Sequence, residues 1–427
     1  MGVFKYSPVD FLFMCMGLLF LLLDIGLDIW AAVTFYQEKA YVRLSVLLLF
    51  LLGSSVLVQA FSWLWYSYEG FKRQTVVEKW LSRGQLLVLH VLQLGIYIRH
   101  AGVVEISLRS FFSRLPDPTD FAVFLSHDLS MLRLIETFSE SSPQLVLMVT
   151  IILQRGQLDP VTVLKAVGSA SAIAFSVTMY HRALRSFLPE KKQQPLTSSV
   201  VYFLWNLLLI SSRLAALALF ASVLPCFIFA HFFCSWVVLL FFVWRSQTAL
   251  MDSVGGEWLY RATVGLIWYF DWFNVVEGRT RYRTLLYHGY ILADISLLCG
   301  LWCWQMSTEP PYFEISHLSA VIVAISVVAV YILGLFFKMI YYKCFHPNLS
   351  KEELKGDTGE RPLTGQGPTT RTDNEDDMDE EALCSGPQLR SGGAGEDVVD
   401  RGWHSPPAPH AERCNKRMRK LAENFYS

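Results

Sequence analysis

Charge is what this chain has least of. Only 17% of its 427 residues are charged, against 53% hydrophobic ones, and the net charge is -1. So nearly neutral a chain points neither to a nucleic-acid binder nor to a generally basic membrane-surface protein. The sequence motifs of energy coupling and hydrolysis are missing too. There is no GxxxxGK[ST] phosphate loop, no HExxH and no GxSxG elbow, which argues against an ATP-driven pump or a membrane hydrolase. The eight cysteines form no CxxC pair and no metal-type grouping with histidine. They read as small buried hydrophobes and free thiols, and neither a metal nor a cofactor is called for. His90, His127 and His288 lie far apart with no EF-hand or acidic calcium loop nearby, so calcium gating gets little support.

What is abundant is apolar sequence in long blocks. A hydrocarbon core about 30 Å thick needs about 20 apolar residues per helical span. By that criterion full spans fall at 9–33, 43–68, 125–154, 160–184, 198–222, 225–246, 284–305 and 316–342. The first block is too long for a signal peptide, contains Asp24 and Asp28, and lacks a small-residue cleavage site before Tyr36, so it reads as a retained span. Two further apolar stretches, 86–106 and 258–275, are interrupted by polar residues. Lys and Arg cluster after the second, fourth and last spans, whereas 154–159 and 221–225 carry little positive charge. This places both termini in the cytosol, provided that both interrupted stretches enter and leave on that side as re-entrant or interfacial helices.

The expected fold is therefore an all-α polytopic membrane protein, with about eight transmembrane helices plus two re-entrant helices in two pseudo-repeated halves, 1–184 and 185–347. A weak echo supports the repeat: residues 127–132 (HDLSML) and 293–298 (ADISLL) occupy the same place in each half. Beyond Pro347 the composition turns Gly/Pro/Ser/Thr-rich with an acidic cluster at 373–381, which predicts a disordered cytosolic tail over 348–427. Near 413–426 the tail sets Met418, Leu421 and Phe425 at helical spacing among basic residues, the pattern of a short docking helix.

Ionisable residues inside the apolar blocks are the candidate functional groups. Asp24 and Asp28 lie four apart, hence on one helix face, and Glu136 and Glu140 repeat the spacing with Asp128 and Arg133 nearby. Arg213 and Asp294 sit within spans of the second half. Each charge at mid-bilayer costs at least about 2.5–3.5 kcal/mol, so these side chains must face protein or water. One reading is that they pair and hold helices together. The other is a polar path, along which a zwitterionic or anionic headgroup crosses while its acyl chains stay in lipid. A membrane scaffold for another protein and a solute transporter remain the alternatives.

At these residues the sequence resembles the XK-related membrane protein family. The resemblance rests on residues 23–30 (LDIGLDIW), 61–65 (FSWLW), 131–138 (MLRLIETF), 142–145 (SPQL), 202–206 (YFLWN) and above all 272–281 (WFNVVEGRTR). It covers roughly 8–347, and it is closest to the family's caspase-activated plasma-membrane member. What it implies is a phospholipid scramblase, independent of ATP and calcium, that exposes phosphatidylserine in apoptosis. It also implies an executioner caspase as regulator and a single-pass immunoglobulin-superfamily chaperone such as basigin or neuroplastin. A caspase needs Asp at P1 and usually at P4, so Asp397 and Asp400 in DVVD form the leading cleavage site, departing from the preference in having Arg401 after the cut. Asp376 and Asp379 in DDMD are the runner-up.

Overall fold

The computed structural model describes residues 8–71, 75–112, 119–156, 160–187, 194–246, 248, 250–274, 281–308, 310 and 315–345. Among them every regular element is helical. In chain order these are α1 (Pro8–Gln37), α2 (Tyr41–Tyr68), α3 (Val76–Lys79), α4 (Arg83–Val91), α5 (Gly95–Phe112), α6 (Thr119–Glu136), a π turn (Thr137–Ser141), α7 (Ser142–Arg155) and α8 (Pro160–Phe187). The second half runs α9 (Leu196–Val223), α10 (Phe227–Arg245), α11 (Val254–Phe270), α12 (Arg281–Thr308), α13 (His317–Ile340) and a π turn (Tyr341–Phe345). By length and composition seven of them, α1, α2, α8, α9, α10, α12 and α13, can cross a bilayer, and the chain is a multi-pass membrane protein. Six of its cysteines lie in the described residues, and all six are free.

The eighth expected span, 125–154, is not one of the seven. It forms α6, the first π turn and α7 in unbroken succession, and its charges lower its hydropathy. Those charges face neighbouring helices, which composition alone does not reveal. Proline explains the π turn. Pro143 has no N–H to give Ser139, so the ladder slips by one residue and the Ser142 N–H donates to the carbonyl of Thr137 instead.

The stretch 86–106 falls on a bent pair: α4 and α5 meet at 117° and reach spanning length and composition only when taken together. Gln93 sits at the bend with φ +64°. Gly95 follows because a Cβ there would lie 2.5 Å from the His90 ring. The described part of the stretch 258–275 differs, since α11 is unbroken through Arg261 and is capped by Asp271, whose carboxylate accepts the N–H of Trp272 at 2.8 Å. Arg261 fits inside this helix because Thr248 accepts from its guanidinium and Glu257 lies one turn away.

The core gathers around α9. Two thirds of its most apolar window is buried (67%), against 11–33% for the other candidate spans. Leu209, Ile210, Leu217 and Phe220 of α9 belong to one continuous cluster with Ile173 of α8, Ile267 of α11, Ile295 of α12 and Tyr331 of α13. Outward faces carry side chains such as Phe229, Phe233, Phe241 and Ile325, more than half exposed, as a lipid-facing surface requires.

Candidate functional site

Asp24 and Asp28 project one turn apart from α1 into a chamber that Arg133, Thr137, Ser141 and Gln144 also line. The Arg133 guanidinium lies 2.8 Å from Glu136 and 3.8 Å from Asp24. Ser141, carried on the π turn, donates to Asp24 at 3.2 Å. Asp28 is within hydrogen-bonding reach of Glu140 and Gln144, and Glu140 within reach of Ser54. One guanidinium thus stands among four carboxyl groups and touches two of them, Glu136 and Asp24, so the seam is short of positive partners. The carboxyl oxygens are acceptors that an incoming cationic group can use.

A second chamber adjoins the first. The two share Phe20, Arg133 and Ser176, and the second runs on between α1, α5, α6 and α8 to Asp10 and Arg182. There Arg182 donates to Asp10 at 2.8 Å, to Ser199 Oγ at 2.6 Å and to the carbonyl of Gln194 at 2.8 Å. From Asp10 to Asp28 along α1 is about 27 Å at 1.5 Å per residue, nearly the thickness of a bilayer's hydrocarbon core. The walls between the charged stations are apolar, with Phe13, Leu18, Val104, Phe175 and Met179 among them.

The remaining predicted residues lie elsewhere. Asp128 pairs with Arg99 of α5 at 3.6 Å and lines neither chamber. Arg99 also donates to the hydroxyl of Ser62 at 2.8 Å and to its carbonyl at 3.1 Å, and it lies 3.9 Å over the Tyr66 ring. This holds the α4–α5 hairpin against α2 and α6. Arg213 and Asp294 meet at 2.5 Å in a closed network of the second half. Arg213 donates to the carbonyl of Tyr269 at 3.1 Å, while His231 links the other Asp294 oxygen (3.1 Å) to the Tyr269 hydroxyl (3.0 Å). Four helices, α9 to α12, are tied through these groups, and none of them lines the chambers.

The intramembrane candidates therefore divide between a seam, in which Asp24, Asp28 and Arg133 line a chamber with Glu136 and Glu140 beside them, and two buried ties. Sequence reasoning missed Asp10, Arg99, Arg182 and His231. Arg182 is one of the basic residues that cluster near the end of the fourth span and Arg99 one of the polar residues that interrupt 86–106, while nothing local marks Asp10 or His231. Asp397, Asp400, Asp376, Asp379, Met418, Leu421 and Phe425 lie outside the described residues.

A family model described as XK-related protein matches residues 12–347, which include both chambers' charges except Asp10. The chain belongs to the XK-related protein family. It is similar to XK-related protein 8 of Tetraodon nigroviridis, 45% identical over 355 residues, 82% of this chain and 86% of the relative. The XK-related protein 8 of Gasterosteus aculeatus is 45% identical over 352 residues (81% and 86%). That of Pan troglodytes is 38% identical over 331 residues (77% and 81%). Since these matches span most of each chain, the similarity is one of whole XK-related proteins.

Proposed function

We propose that this XK-related protein is a phospholipid scramblase of the plasma membrane that exposes phosphatidylserine when its C-terminal tail is cut. The observation that carries the reading is the pair of adjoining chambers, which follow α1 for nearly a bilayer's depth with charged stations and apolar walls between them. A headgroup entering hydrocarbon loses its water, and the loss is what makes unassisted crossing slow. Carboxylates at Asp24 and Asp28 can receive a headgroup ammonium, and Arg133 and Arg182 can receive its phosphate. The acyl chains need not leave the lipid. Such a path lowers the barrier equally in both directions, makes and breaks no covalent bond, and needs neither ATP nor calcium.

Regulation belongs to the tail in this reading. Cleavage by an executioner caspase after Asp400, or after Asp379, separates the basic segment around Met418, Leu421 and Phe425 from the membrane domain. Both termini are then cytosolic, which the clustering of Lys and Arg after the second, fourth and last predicted spans supports. A single-pass chaperone of the basigin or neuroplastin type accompanies the protein to the cell surface. The test is annexin staining of cells without endogenous scramblase activity, expressing this chain or Asp400→Ala, before and after caspase activation. Exposure with the natural chain and its loss with Asp400→Ala is the expected result. Exposure in both moves the cut to Asp379; exposure in neither, with the protein at the surface, overturns the reading.

A further inference from the structure

One polar side chain in the second chamber serves neither a charge pair nor a tie between helices. His100 of α5 is 8% exposed and lines the chamber, yet neither of its ring nitrogens has a hydrogen-bond partner among the described residues. An imidazole presents at least one N–H donor, and a buried donor without an acceptor costs free energy that an apolar side chain would not. The neighbours on the same helix face differently: Arg99 is fully engaged with Ser62 and Asp128, while Val103 and Val104 give apolar wall. The chamber is partly open and offers about 130 Å³ to water-sized molecules, several times the roughly 10–15 Å³ that one water needs. Its opposite wall is Phe13, Leu18, Phe175 and Met179, with Arg133 at one end and Arg182 at the other.

We propose that this chamber is a resident phospholipid site and that His100 is the residue that hydrogen-bonds the lipid's polar head, at a phosphate or ester oxygen. The aromatic and aliphatic wall suits the first methylenes of an acyl chain, which a soluble phosphate or sugar could not use. Arg133 and Arg182 already hold Asp24, Glu136 and Asp10, so the imidazole is the group whose hydrogen-bonding capacity is unused among the described residues, with the arginines adding their charge to the ligand's phosphate. Lipid binding stands on the chamber itself; only the role of the site as a station of the crossing path rests on the scramblase reading. On that reading the site lies at the cytosolic end, where Asp10 stands in the first turn of α1.

The test uses the full chain in nanodiscs containing a phosphatidylcholine with a photoactivatable acyl chain, followed by digestion and mapping of the labelled peptides. The natural chain should be labelled within 95–112 and 123–133. His100→Leu should lower that labelling about tenfold, the worth of one hydrogen bond to a charged oxygen, and His100→Gln should retain most of it. In detergent stripped of lipid, His100→Leu should melt higher than the natural chain, because it removes an unpaired polar group. Unchanged labelling, or a lower melting temperature without lipid, overturns the proposal. Should His100→Leu not fold, Val104→Trp, which fills the chamber from α5, decides: lost labelling supports the site and unchanged labelling overturns it. Labelling with no dye-lipid transbilayer movement by the cleaved chain would keep the site and discard the scramblase reading.

Discussion

The two halves of this protein bury charge in opposite ways. In the second half Arg213, Asp294, His231 and Tyr269 close on one another, and Arg213 has no exposed surface. In the first half Arg133 is shared between Asp24 and Glu136, with Asp28 and Glu140 alongside, and the side chains keep 14–24% of their surface where Arg133, Glu136 and Asp24 meet. The sequence echo at 127–132 and 293–298 makes the contrast sharper. Asp128 and Asp294 hold matching places and each pairs with a buried arginine, but Asp128 draws its partner from the α4–α5 hairpin and Asp294 from the central α9. A closed pair stabilises and is used up; an open seam has capacity left for something that passes.

Breaking the closed network should have the largest effect on the fold. Arg213→Met leaves Asp294 with His231 as its one remaining partner among the described residues and should cost about 3 kcal/mol, seen as a collapse of surface expression and of the melting temperature in detergent. Adding Asp294→Leu should recover most of that loss, since a buried pair replaced by apolar groups is often close to neutral. Arg133→Met should separate the two halves: a stability loss under about 2 kcal/mol, because its partners are part-exposed, with transbilayer movement of a fluorescent lipid slowed about tenfold or more, as loss of roughly 1.4 kcal/mol at the barrier gives. If Arg133→Met instead unfolds the protein as Arg213→Met does, the contrast between seam and tie is wrong. The close packing at each half's glycines gives the two smaller tests. Gly95→Ala drives a Cβ to 2.5 Å from the His90 ring and should destabilise by about 1–3 kcal/mol in a thermal melt. Gly334→Ala, where α13 crosses α9, meets Leu209 Cδ2 at 2.8 Å, its Cγ at 3.0 Å and Leu208 Cβ at 3.2 Å, and should cost about 1 kcal/mol by the same measurement.

How much was legible beforehand follows from which physical terms are local. Span length and hydropathy are local, so the seven apolar crossings stand close to their expected bounds. Periodicity is local too, and it put Asp24 and Asp28 on one face, where they line one chamber. The same rule applied to Glu136 and Glu140 was less informative, because the π turn intervenes. Glu136 reaches Arg133, while Glu140 turns to Asp28 and Ser54. Pairings across long separations were not legible at all: Arg182 with Asp10 is 172 residues apart and Arg213 with Asp294 is 81. Nor did polar interruptions alone tell a bend from a straight helix, since α4–α5 folds back at Gln93 while α11 absorbs Arg261 with local partners.

The π turn ahead of Pro143 has one more consequence. It is a phase slip in an otherwise continuous rod, so α7 stands rotated by about 100° from where a regular helix would put it. Deleting a single residue between Thr137 and Ser141 would let the rod close as a regular helix and keep Gln144 facing Asp28, with the rod shorter by about 1.5 Å at most. The turn therefore works as a slack residue in the rod, a place where one residue can be lost while both faces keep their aim.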